Sequence, residues 1–198
     1  MIVEGNSDKL ALETLARRYG RDLGADSISV LAIGGAHAIR RILNDANRPP
    51  SDIQLAGLYD AGEEGDVRYA LEHAGFGRDL TRADLERLGF YACEADLEDE
   101  LIRALGSARL EQILEANGDL KSFRTFQQQP AQRGRPIARQ LRRFMGTHSG
   151  RKAKYARLLI DALDLDKVPR PLGELLAHLW RVSGETASAS ADGRDRDA

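Results

Sequence analysis

Along the first half of the chain, short apolar runs alternate with stretches whose apolar side chains return every three or four positions. The runs fall at residues 1–4, 27–33 and 53–59, and the periodic stretches at residues 9–19, 36–43 and 66–73. A short apolar run bounded by turn formers predicts a buried strand, and a three-to-four period predicts one face of a helix. The resulting βαβαβα succession predicts an α/β fold: a mostly parallel sheet flanked by helices, with functional groups at the carboxyl ends of the strands. A fourth strand is expected at residues 88–93. The first helix carries its apolar stripe through Leu10, Leu12, Leu15 and Ala16, with Asn6 or Ser7 available to cap its start and Gly20 placed to end it.

After Cys93 strands disappear, and helices are expected at residues 96–105, 108–116, 137–145, 151–163 and 172–182. Pro130 and Gly134 break the polar stretch 127–135. Residues 183–198 hold almost no large apolar side chain and predict a disordered tail. The chain therefore divides into a core at 1–106, a helical basic extension at 107–182 and the tail at 183–198.

Composition narrows the class. A hydrophobic fraction of 42% with 30% charged residues is that of a soluble globular chain. No apolar run approaches the ~20 residues that span a bilayer, and Met1, Ile2, Val3 and Glu4 do not form a secretory signal. A cytoplasmic protein with no membrane partner is expected. The single cysteine, Cys93, has no disulfide partner and reads as a buried structural thiol. His37, His73, His148 and His178 lack metal-ligand spacing, which argues against zinc. Ser149 and Cys93 lack a neighbouring base for nucleophilic catalysis.

The net charge of −2 hides an asymmetry: residues 121–157 contain basic side chains and no acidic one. Arg139, Arg142 and Arg143 fall on one face of an expected helix, and Arg151, Lys152 and Lys154 follow, a pattern suited to nucleic-acid phosphates. Phe144 and Tyr155 within this stretch read as packing residues.

Acidic residues gather at three expected strand ends. Glu4 closes the first strand and Asp8 opens the next helix, with Gly5 allowing the turn; Asp60 closes the third strand; Asp96, Glu98 and Asp99 open the helix after the fourth. Glu63 and Glu64 read as solvated first-turn residues of the helix after Asp60. If the first and third strands are neighbours, Glu4 and Asp60 leave the same sheet edge and can share a cation; oxygen donors of this kind suit Mg²⁺ or Mn²⁺.

The strings Val3-Glu4-Gly5-Asn6-Ser7-Asp8, Ile33-Gly34-Gly35, Leu58-Tyr59-Asp60 and Asp96-Leu97-Glu98 together resemble the Toprim region of the overcoming-lysogenization-defect (OLD) family nucleases, over residues 1–105. The resemblance implies a Toprim-like sheet and a divalent-metal-dependent endonuclease hydrolysing DNA phosphodiester bonds. It implies Glu4, Asp8, Asp60, Asp96 and Glu98 as metal-binding and catalytic residues, and Lys152 in Gly150-Arg151-Lys152 as a further catalytic one. Arg139, Arg142, Arg143, Arg151 and Lys154 are the expected nucleic-acid contacts. DNA is the implied substrate; the residues alone leave RNA open, as they do the number of metals and the oligomeric state.

Two departures bear on this expectation. Toprim proteins commonly carry Asp-x-Asp after the third strand, whereas this chain has Asp60-Ala61-Gly62, one ligand fewer. OLD proteins also carry an ATPase module ahead of the Toprim region, yet no Gly-x4-Gly-Lys-Ser/Thr loop occurs here, and Gly34-Gly35 reads as a tight turn. A separate ATPase partner or a stand-alone nuclease is expected. The alternative is a catalytically degenerate Toprim module that binds nucleic acid or such a partner; a primase-like or topoisomerase-like machine needs a longer chain.

Overall fold

Strands β1 (Ile2–Val3), β2 (Leu31–Ala32), β3 (Gly57–Asp60) and β4 (Phe90–Cys93) form one parallel sheet in the order β2-β1-β3-β4. The computed structural model describes residues 1–35, 37–45, 54–148 and 150–192. β1 pairs Ile2 with Leu31 on one side and with Gly57 on the other, while β3 and β4 stay in register from Gly57–Phe90 to Asp60–Cys93. The first and third strands are thus neighbours. Sheet growth reverses between them, which opens a crevice at their carboxyl ends.

Side chains alternate across the sheet as a period of two requires. Val3, Leu58, Tyr91 and Cys93 enter one core, and Ile2, Tyr59 and Phe90 enter the other. The thin faces of these strands leave little room at Gly57. A Cβ there would come within 2.9 Å of the Phe90 ring and 3.0 Å of the Ile2 carbonyl oxygen. Gly57→Ala is therefore expected to destabilise the fold by about 1–3 kcal/mol, through overpacking, seen as a lower urea midpoint at unchanged slope.

The second core is closed by α2 (His37–Asp45), α3 (Glu64–His73) and α4 (Arg82–Arg87). The first is closed by α1 (Asn6–Arg18), α5 (Leu97–Leu105), α6 (Ser107–Ala116), α7 (Leu120–Gln127), α8 (Ile137–Met145), α9 (Arg151–Ala162) and α10 (Arg170–Asp192). The same cluster holds Val3 and Leu12 with Phe144, Leu159 and Leu176, so the helical C-terminal part shares a continuous core with the sheet. Among the described residues no helix is long and apolar enough to cross a membrane.

α1 and α9 lie side by side and run parallel. Asp8 and Lys152, in their first turns, interact electrostatically, and at the far ends Arg18 Nη1 donates to the Ile160 and Leu163 carbonyls at 2.6 and 2.5 Å. Trp180 anchors α10 to this layer, edge-on to Tyr19 at 5.6 Å with the Arg21 guanidinium 4.9 Å from its ring centre.

Several expectations need correction. β2 is shorter than 27–33 because Ser27 turns with φ +59° and only Leu31 and Ala32 pair with β1. The expected starts at Ile53 and Ala36 lie outside the described residues. α4 and α7 were not foreseen. The last helix, expected to stop at Val182, continues through residues 183–192 expected as tail, since Ser, Ala and Glu carry little helix penalty. Residues 193–198 lie outside the described residues.

Candidate active site

Glu4 directly follows β1, and its carbonyl accepts the Gly34 N–H at 2.8 Å. Gly34 and Gly35 hold φ of +75° and +114°, so the turn after β2 passes the Glu4 backbone in a conformation open to glycine. Asp60 is the last residue of β3, next to β1. Asp8 is buried in the first turn of α1, where its Oδ2 accepts the Gly5 N–H at 2.8 Å. That bond closes the helix start, so the cap is Gly5 rather than Asn6 or Ser7.

Asp96 and Glu98 come from the β4–α5 junction. Asp96 caps α5, its Oδ1 accepting the Asp99 N–H at 2.8 Å, and its Oδ2 accepts Arg142 Nε from α8 at 2.6 Å. Glu98 is only 3% exposed. Lys152 Nζ stands 3.2 Å from its Oε2 as an ion pair, and among the described residues no other donor bonds either Glu98 oxygen.

Electrostatics ties these groups into one centre. Burial pushes Asp60 up to about 7, reinforced by Glu4, Asp96, Glu63 and Asp8. Burial likewise raises Glu98 to about 7 against the pull of Lys152, with Asp96 and Asp8 adding to the rise. Asp8 is raised by burial, then restrained by its bond to Gly5 and by Lys152. For Lys152, burial acts to lower the pKa, but Glu98, Asp8 and Asp96 outweigh it and the ammonium is held above its ordinary value. Glu4, Asp8, Asp60, Asp96, Glu98 and Lys152 therefore form one chain of electrostatically interacting groups.

Hard oxygen donors and a surplus of negative charge, which the single Lys152 ammonium beside Glu98 does not balance, fit a divalent cation. Among the described residues, no three His, Cys, Asp or Glu side chains are gathered tightly enough to hold an ion as they stand.

Glu63, partly exposed at the start of α3, adds to the negative field on Asp60. It ends the 3-10 turn Ala61–Glu63 that follows β3 and lines a cleft with Glu4 and Tyr59. Glu64 is structural, bridging Arg68 at 2.6 Å and Arg82 at 2.5 Å. Cys93 is buried, its thiol pushed far up by burial and by nearby acids beginning with Glu100.

The basic stretch splits in two. Arg142 is bound to Asp96, while Lys154 at 3.0 Å and Arg151 at 3.7 Å pair with Asp119, which also accepts the Tyr155 hydroxyl at 2.7 Å. Arg151 further lies over the Phe144 ring, 4.2 Å from its centre. Lys154 and Arg151 thus brace α9 against the start of α7. Arg139 and Arg143 are exposed on α8 beside the Arg142–Asp96 pair.

The parallel order β2-β1-β3-β4, with acids at the ends of β1 and β3, defines an α/β module whose candidate site lies at the carboxyl edge of the sheet. Residues 1–60 match the family model described as overcoming lysogenization defect protein-like, TOPRIM domain. In fold, the whole chain is similar to the C-terminal region of the Xanthomonas campestris pv. campestris OLD protein, with a TM-score of 0.71 at 17% identity, covering 96% of this chain and 95% of that one. It is likewise similar in fold to the C-terminal region of the Burkholderia pseudomallei OLD protein, with a TM-score of 0.67 at 17% identity, covering 92% of this chain and 96% of that one. Comparison with curated proteins finds no match.

Proposed function

We propose that this chain is a divalent-metal-dependent nuclease module that hydrolyses DNA phosphodiester bonds at the crevice between β1 and β3. The observation that carries this reading is Glu98, a buried carboxylate whose Oε2 meets the half-exposed Lys152 ammonium at 3.2 Å, set among Asp8 and Asp96 and linked through them to Glu4 and Asp60. Glu4, Asp8, Asp60 and Glu98 would hold Mg²⁺ or Mn²⁺, with Asp96 beside them. When bound, the metal lowers the pKa of water and stabilises charge on phosphate oxygens.

The chain's own residues supply the rest. Lys152, half exposed beside Glu98, can place its ammonium against the oxygen on which charge develops. Arg139 and Arg143 offer exposed cations for backbone phosphates flanking the scissile one. An ATPase, if one acts with this module, is a partner rather than a part of the described site.

Purified protein is expected to cleave DNA with Mg²⁺ or Mn²⁺ and to stop when EDTA removes the metal. Glu4→Gln should retain the thermal unfolding profile but lose cleavage and weaken Mn²⁺ binding in calorimetry. Parallel assays on RNA of the same sequence decide the substrate class. A binding module is the second reading, favoured by Gly62 standing where Toprim proteins commonly have an Asp. Tight DNA binding without cleavage across Mg²⁺, Mn²⁺ and Co²⁺ would establish it instead.

A further inference from the structure

We propose that Asp96 and Arg142 act as a positioning pair: Asp96 holds the guanidinium beside the acidic crevice, and Arg142 grips the phosphodiester group of the nucleic acid. The inference rests on the metal-dependent reading above and assigns Asp96 a role other than that of a metal ligand.

Both Asp96 oxygens are already committed. Oδ1 accepts the Asp99 N–H at 2.8 Å, fixing Asp96 as the cap of α5, and Oδ2 accepts Arg142 Nε at 2.6 Å. Two residues on, both oxygens of Glu98 are buried. Glu98 meets only the half-exposed Lys152 ammonium, 3.2 Å from its Oε2, among the described residues, whereas both Asp96 oxygens are satisfied by hydrogen bonds.

Arg142 is anchored at one atom only. Its side chain is 40% exposed, and among the described residues its Nη groups make no hydrogen bond, so the two-pronged end remains available. That end matches the paired oxygens of a phosphate, which a lysine ammonium does not. A carboxylate holding Nε removes the rotamer freedom that the arginine would otherwise lose on binding. Exposed Arg139 and Arg143 share the helix face, so a strand lying along α8 passes Arg142 next to the acids. The electrostatic influence of Asp96 on Asp60, Glu98 and Lys152 places the pair at the same centre.

The test combines calorimetry with Mn²⁺ alone, anisotropy with a DNA oligonucleotide in Ca²⁺, and cleavage kinetics in Mn²⁺, all on the full chain. Asp96→Asn keeps an efficient helix cap but presents an amide donor to Arg142. It is expected to leave Mn²⁺ affinity within about twofold and lower kcat/KM by roughly 10–100-fold, as loss of an orienting partner does. Arg142→Ala should match it, the double variant should lose no more than either single one, and Arg142→Lys should fail to rescue. Glu98→Gln should instead weaken Mn²⁺ binding. If Asp96→Asn weakens Mn²⁺ binding as much as Glu98→Gln does, or if the two single losses multiply in the double variant, the pair is overturned. Absence of cleavage by every form, wild type included, would sink the hydrolytic reading alone. Oligonucleotide binding would then decide: equal, non-additive weakening by the two variants upholds the pair, and unchanged binding rejects it.

Discussion

Asp60→Asn should abolish cleavage while making the metal-free protein more stable. Asp60 sits at the end of β3 among Glu4, Glu63, Asp8 and Asp96, and burial with these neighbours holds its pKa at about 7. An amide keeps the shape and removes the charge. Loss of this proposed direct ligand should exceed the roughly 10–100-fold penalty of an outer-shell change, while relief of repulsion should raise Tm on the order of 2–4 °C for each kcal/mol recovered. The pH dependence has a definite sign. Asp60 and Glu98 are both held up to about 7, against about 4 when unfolded. Their ionisation therefore costs the fold nothing below pH ~4 and progressively more as pH rises through about 7. Metal-free stability from these groups should fall across that interval, and the stabilisation given by Mn²⁺ should grow across it as protons are released. A wild-type metal-free Tm that rises from pH 5 to pH 8, with no gain in Asp60→Asn at pH 8, would contradict the account.

Lys152→Ala should lower kcat by roughly 10²–10³-fold, the usual consequence of losing one charge-stabilising donor, and should change oligonucleotide affinity far less. Its ammonium stands 3.2 Å from a carboxylate that is 4% exposed, in a site where Asp8 and Asp96 also favour the cation. Removing it leaves Glu98 buried without its counter-charge, so the apparent pH requirement for Mn²⁺ binding should move upward. Single-turnover rates at saturating DNA, set beside anisotropy in Ca²⁺, separate the two effects. Full recovery of rate at saturating DNA would reduce Lys152 to one more phosphate contact.

Much of this was legible because it depends on local order. Apolar runs separated by amphipathic stretches are sufficient to place parallel strands, and residues at strand ends follow from them; hence Glu4 and Asp60 were readable as partners. The bounds of α8 follow from the Ile137, Leu141, Phe144 and Met145 stripe. α4 is six residues long, too short for a period, although Thr81 and Asp84 form a capping box. α7 buries only Phe123 and Phe126. The fate of the basic residues was illegible for a different reason. Residues 121–157 carry no acid of their own, yet Arg142 finds Asp96 46 positions away and Lys154 finds Asp119 35 positions away.

The parallel run of α1 and α9 makes the two helices a calibrated ruler. Arg18 clasps the last carbonyls of α9, and eight residues upstream of Ile160, roughly 12 Å along the axis at 1.5 Å per residue, Lys152 faces Asp8. A slip of one residue between the helices would carry the ammonium about 1.5 Å along that ruler, enough to miss a developing charge. Alignment in the crevice is therefore set at the far ends of these two helices. The parallel arrangement also points the amino ends of both helices at the acids, with that of α5 beside them at Asp96. Three bundles of peptide dipoles thus share the burden of concentrated negative charge.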